Sequence, residues 1–201
     1  MHLPAVHAVV AWLQDNLAHV PYAITSLSAL AIWGFAAYIP THVSILCPEH
    51  CRDVVTGWAF ATGVVLYSRQ KGFGLQLRGE KGHVRRVRVK FVAAEVFAGL
   101  KAVGKARVLS LASLIDVLAG EFIDMKGENA GAKRLTLGGG ILWAVNKMVE
   151  VGAEVGKGEV RNVGNPLFME PFVCLFPGSK EAFVKAELLQ AEDIATRALG
   201  G

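Results

Sequence analysis

At 201 residues the chain is long enough to bury a sizeable core in one domain, 1–201. It is apolar for a soluble protein, with 53% hydrophobic and 19% charged residues against about 25% charge in average globular chains. Deep burial, an apolar cavity or a partner surface must take up that excess. The net charge of +4 is modest, and three cysteines are too few and odd in number for a disulfide scaffold; a reducing compartment is expected, with the protein cytoplasmic.

No basic segment precedes an apolar core at the N-terminus, because Asp15 and Asn16 arrive too early, so no signal peptide is expected. Residues His2 to Leu17 place Val6, Val9, Val10, Leu13 and Leu17 at helical spacing, which predicts an amphipathic helix. The run Tyr22 to Ile39 carries no charge and just reaches the length needed to cross a bilayer. Thr25, Ser26, Ser28 and Gly34 interrupt it, however, and no Lys/Arg cluster flanks it. A buried helix over Tyr22 to Ala37, entered after Pro21, is the expectation, with no membrane span. His42 to Cys47 then reads as a short strand ended by Pro48, and Glu49 to Thr62 as a helix stopped by Gly63.

Strands are predicted at Val64 to Tyr67, Phe73 to Leu77 and Val84 to Val92, with the turn-rich Gly79-Glu80-Lys81-Gly82 joining the last two as an antiparallel hairpin. Arg78, Lys81, Arg85, Arg86, Arg88 and Lys90 cluster here. Aromatic residues are not interleaved with them as a nucleic-acid stacking platform requires, so no nucleic-acid partner is expected. Glu95 to Gly104 reads as a connection. Helices follow from Leu109 to about Met125 and from Lys133 to Val151. Gly138-Gly139-Gly140 sits inside the second, where each Gly costs about 1 kcal/mol relative to Ala; the triplet marks a close backbone approach or a helix start. A loop bearing Pro166, Pro171 and Pro177 leads to a last helix over Lys180 to Ala198.

The stretch Tyr22-Ala23-Ile24-Thr25-Ser26-Leu27-Ser28-Ala29-Leu30, followed by Pro40-Thr41-His42-Val43-Ser44-Ile45-Leu46, resembles the opening of nucleotidyltransferase-like domains of the abortive-infection type. In that family a Gly-Gly-x-Ala-Leu helix start leads into an Asp-x-Asp strand, and a later strand supplies a third Asp. The helix opening Leu109-Ser110-Leu111-Ala112-Ser113-Leu114-Ile115, with a second helix after a basic break, is similar to the family's helical half. The resemblance covers roughly residues 21–150. It implies an α+β fold, a small mixed sheet flanked by helices over about 21–95 and a helical portion over 105–201. It also implies three carboxylates holding magnesium ions, but His42 and Ser44 stand at the Asp-x-Asp positions and Lys90 at the third. The degenerate opening is similar to that of a fungal subgroup. An ammonium cannot ligate a cation, so neither a metal nor a cofactor is expected.

Strand alternation gives a second argument from the residues alone. Val43 and Ile45 point one way and His42 and Ser44 the other; Val87, Val89 and Phe91 take one face and Arg86, Arg88 and Lys90 the other. With the aliphatic sides packed on helices, His42, Ser44, Arg86, Arg88 and Lys90 share one open face, which Gln76 joins. His42, Ser44, Arg88 and Lys90 are the candidate catalytic groups: a bidentate anchor in Arg88, an acid or base in His42, a hydroxyl donor in Ser44. The competing reading is an ordinary half-solvated sheet face. Tyr22, Ser26, Ser28, Trp33, Gln76, Arg86, Trp143 and Glu170 are the candidate substrate contacts, Glu170 being the acid expected to be most desolvated. Cys47-Pro48-Glu49-His50-Cys51 lacks a second ligand pair at zinc spacing, and Gly72-Phe73-Gly74 lacks the lysine and helix of a phosphate loop. The functional expectation is an enzyme that needs no metal and cyclises or isomerises an apolar terpenoid or polyketide, as in a Diels–Alder closure. A nucleotidyltransferase with displaced ligands and a non-catalytic binding protein are the alternatives.

Overall fold

The first helix, α1 (Leu3–Asn16), forms where the helical spacing predicts it. Val6, Val9, Val10 and Leu13 make one buried stripe, a proline occupies the first turn, and the His2 ring caps Ala5 N at 3.1 Å. The structure is a computed structural model that describes residues 1–69, 72–78, 84–127, 130–156 and 159–189. Two compact units divide it, Met1–Ser110 and Leu111–Gly201.

The first unit carries a seven-stranded mixed sheet in the order β3-β4-β5-β2-β1-β7-β6. Its strands are β1 (Ala23–Thr25), β2 (Val43–Pro48), β3 (Val65–Arg69), β4 (Gly72–Arg78), β5 (Val84–Val92), β6 (Ala102–Val103) and β7 (Val108–Leu109). β2 runs parallel to β5 and β1 parallel to β7; the other neighbours are antiparallel. α2 (Ser26–Trp33), α3 (Arg52–Ala61) and the short α4 (Ala94–Ala98) complete the unit. This is the small mixed sheet flanked by helices that the resemblance implies.

Three local expectations give way. Tyr22 to Ala37 is not one helix. Ala23, Ile24 and Thr25 are all buried because they fill the sheet between β2 and β7, and the chain turns into α2 only at Ser26, which takes a left-handed φ of 57°. The expected helix from Glu49 opens with a 3₁₀ turn, Glu49–Cys51, before α3. Glu95 to Gly104 holds α4 and β6; a two-residue strand is too short to leave a period-two signature. The turn expected at residues 79–82 lies outside the described residues.

The second unit contains α5 (Leu111–Asp124), α6 (Ala130–Val151), α7 (Pro166–Leu175) and α8 (Ser179–Lys185). Phe122, Phe168, Phe172 and Phe183 are fully buried and meet edge-to-face or tilted at centroid distances of 4.8–6.0 Å. α6 runs through the glycine triplet, and the close approach is at Gly138, where a Cβ would overlap the Phe176 ring. Pro166 and Pro171 do not make a loop. Pro166 starts α7 behind an Asn165 cap, and burial of Phe168, Met169 and Phe172 holds the second turn despite Pro171. The last helix ends at Lys185, short of the expected span, with Glu187 at φ 57°; residues 190–198 of that expectation lie outside the described residues. Among the described residues no helix is long and apolar enough to cross a membrane.

Candidate functional site

Register builds the site. Thr25 pairs with Ser44, Ser44 with Arg88, Arg88 with Gly74, and Gly74 with Tyr67. Directly paired residues share a sheet face, so five neighbouring strands place these five residues in one row. A second row follows one step along, with Arg86 opposite Gln76 and Gln76 opposite Val65. Lys90 pairs with Leu46 on the other side of the first row. The intervening Ile45, Leu75, Val87 and Val89 are buried, whereas Arg86, Arg88 and Lys90 are exposed. Ser44, Arg86, Arg88 and Lys90 therefore share one sheet face as alternation predicts, with His42 just before β2, but that face is open at β5 and buried at β2 and β1.

The row runs from a buried end to a solvated one. Thr25 is 2% and Ser44 9% exposed. The hydroxyl of Ser28, on the first turn of α2, donates to Thr25 O at 2.8 Å and accepts from Ser44 N at 2.9 Å. That pair of bonds extends the ladder where β1 ends and ties α2 to β2. The Thr25 hydroxyl itself is buried without a hydrogen-bond partner and does not cap α2. A buried hydroxyl without a partner costs about 1–3 kcal/mol, and with the left-handed Ser26 beside it the first turn of α2 is a place where the fold holds cost.

His42 shows the electrostatics of the face. Its pKa lies below the ordinary imidazole value, first because burial disfavours the cation, then because the Arg88 and Arg86 charges repel it. The ring is held towards its neutral form beside two guanidiniums. His42 Nδ1 is 3.1 Å from Thr41 Oγ1, the direction of that bond following the tautomer.

No protein-family model matches the chain, and a search of curated proteins finds no match. Solved structures do match. An antigenic nucleotidyltransferase-like protein from Paracoccidioides brasiliensis aligns over 92% of this chain and 90% of its own, with a TM-score of 0.58 and 13% identity. JHP933 from Helicobacter pylori aligns over 99% and 98%, with a TM-score of 0.46 and 10% identity. The first of these decides the fold. This chain has a nucleotidyltransferase-like fold. At 13% identity the likeness speaks of architecture alone.

The donor set of this nucleotidyltransferase-like sheet does not suit the magnesium ions that the resemblance implies. None of the seven strands contains an Asp or Glu, while β3, β4 and β5 contain five arginines and Lys90. Hard divalent ions take carboxylate and carbonyl oxygens, and guanidinium or ammonium groups repel them. Among the described residues no cluster of three His, Cys, Asp or Glu is placed to hold a metal.

The structure brings together His42, Ser44, Gln76, Arg86 and Arg88, with Lys90 one pair further along. It does not bring Tyr22 to them. Ala23 and Thr25 share the open face, so Tyr22 points to the opposite one, where its hydroxyl is buried unpartnered and Arg107 lies 5.0 Å over its ring. Ser28 is committed to backbone groups, and the Trp33 indole donates to Leu109 O at 3.0 Å. Trp143 and Glu170 belong to the second unit, and Glu170 is exposed rather than desolvated. The buried acids there are Asp116 and Glu159. Sequence reasoning missed Thr25 and Tyr67: Thr25 was hidden inside a presumed helix, and Tyr67 shows its face only once β3 is registered against Gly74.

Proposed function

We propose that the open face binds a small molecule bearing a carboxylate, phosphate or conjugated carbonyl, without divalent metal, and promotes its isomerisation or cyclisation. One observation carries this reading: a sheet devoid of carboxylates presents Arg86, Arg88 and Lys90 on the face that also holds His42 and Ser44. Arg88 anchors an oxyanion bidentately. His42, kept towards neutrality, accepts or returns a proton near pH 7. Ser44 and the unpartnered Thr25 hydroxyl supply donors at the buried end of the row. Holding reactive ends in place contributes several kcal/mol to the barrier, and a donor on a conjugated carbonyl adds electrostatic stabilisation. Within this reading the chain belongs to a carboxylate-depleted fungal branch of the abortive-infection type and acts in the cytoplasm on an apolar terpenoid or polyketide, without cofactor.

Thermal unfolding in the presence of ligands tests the reading, because a compound bound to the native state at a hundred times its dissociation constant stabilises by about 2.7 kcal/mol. Sorbate, a conjugated dienoic acid, should raise the unfolding temperature of the wild type and not of Arg88→Ala. Stabilisation by magnesium with a nucleoside triphosphate, and none by sorbate, would replace this reading with nucleotidyl transfer through displaced ligands.

A further inference from the structure

Gly74 marks a second arm of this face. A Cβ built on Gly74 would overlap the Cζ and Oη atoms of Tyr67. Tyr67 and Gly74 are register partners on β3 and β4, and Arg88 on β5 is the next residue in the row. A tyrosine whose hydroxyl lies over its neighbour's Cα has leaned across the sheet, since adjacent strands are about 4.8 Å apart and the phenol reaches further than that. The tip of the Tyr67 ring therefore covers Gly74, the residue between Tyr67 and Arg88 in the row. Only glycine at position 74 leaves room for it, because any side chain there would occupy the same space.

We propose that Tyr67 is a specificity-determining residue of the open face, an aromatic shelf that selects ligands whose oxyanion is joined to a flat, unsaturated body. This rests on the reading of Arg88 as the oxyanion anchor. A guanidinium fixes the charged end of such a ligand, and a ring beside it offers a face or edge to a planar conjugated body that a puckered saturated one cannot match. The phenol hydroxyl, carried over Gly74, adds a hydrogen-bonding group one strand from Arg88. The shared chemistry of carboxylates and phosphates satisfies the anchor equally; the body behind the charge is what Tyr67 reads.

The test compares benzoate with cyclohexanecarboxylate, equal in charge and close in size, and phenyl phosphate with inorganic phosphate, by calorimetry on the full chain. An aromatic contact should favour the flat member of the carboxylate pair by about three- to ten-fold in the wild type. Tyr67→Ala should bring that ratio to about one. Gly74→Ala, which keeps the ring but denies it its place, should do the same. Arg88→Ala should weaken both carboxylates together. A ratio unchanged in Tyr67→Ala or in Gly74→Ala overturns the shelf, and so does a wild type that does not distinguish the two carboxylates. A ratio that survives Arg88→Ala at undiminished affinity removes the anchor and leaves the shelf standing. Stronger binding of phenyl phosphate than benzoate, with the same loss in Tyr67→Ala, assigns the charge to a phosphate. Unfolding temperatures within a few degrees of wild type confirm that each variant is folded.

Discussion

In the second unit Asp116 and Glu159 are 5% and 6% exposed, and the protein's own donors meet each carboxylate. Asp116 accepts from Arg161 N, Asn162 N, Val163 N and Asn162 Nδ2; Glu159 accepts from Ser113 N and Oγ and from Gly156 N. In the first unit Arg86, Arg88 and Lys90 stand exposed along one strand of a sheet that contains no acid. Both sets are ionisable side chains, but they do different things. A buried carboxylate whose lone pairs are taken by backbone N–H groups pins a loop, here residues 159–163 onto α5, and has little capacity left for a ligand. The cations of β5 are instead exposed to solvent on a strand of the sheet. The proposed function assigns ligand binding to the second set, and the hydrogen bonds assign stability to the first.

Substitutions that exchange stability for binding break this comparison if it is wrong. Asp116→Ala should cause the largest loss, about 3 kcal/mol, because it strands several N–H groups, Val163 N fully buried among them. Denaturant unfolding reads it as a fall in midpoint at constant slope. A loss below about 0.5 kcal/mol, the ordinary surface value, would remove the structural role of this acid. Ser28→Ala comes next, at roughly 1–2 kcal/mol, since Ser44 N loses its acceptor in a buried place. Arg88→Ala sharpens the contrast from the other side: stability within about 0.5 kcal/mol of wild type, with sorbate binding lost. An Arg88 variant that unfolds would make the cation part of the scaffold.

Much of the architecture was legible because alternation and helical spacing are local signals. β5 spans Val84–Val92 as its sequence predicts, and its exposed and buried residues alternate between Arg86 and Lys90 as the pattern requires. What failed to show was set by partners distant in sequence. Ala23-Ile24-Thr25 has the apolar run of a helix, and only its place between β2 and β7 makes it a strand. Pro166 and Pro171 read as loop signals until a phenylalanine cluster outweighs the second of them. Within the site, Arg86, Arg88, His42 and Ser44 were visible from period-two spacing alone. Tyr67 was not, because its place in the row follows from the register of β3 against β4, which the spacing within β3 does not give. Asp116 gave no signal either, since its donors lie 45–47 residues away along the chain.

The smallest predicted effect concerns His42 and its dependence on pH. Its folded pKa is lowered, by burial first and by Arg88 and Arg86 next. The unfolded chain therefore takes up a proton at higher pH than the native one, near the ordinary value of about 6.5. The stability associated with the neutral ring is present above that pH and is lost as pH falls towards the lower folded value. His42→Gln should flatten this part of the stability profile, below about pH 6.5, and an unchanged profile would mean that the ring is not held neutral by the fold. Removing one repelling charge moves the pKa back up, so the His42 ring in Arg88→Ala should titrate at higher pH than in wild type, as read from its proton resonances. A bound oxyanion must act in the same direction, because it offsets the guanidinium field and favours the imidazolium. By linkage, sorbate affinity in the wild type should then rise as pH falls through the His42 titration, and His42→Gln should lose that dependence while Arg88 still anchors the acid.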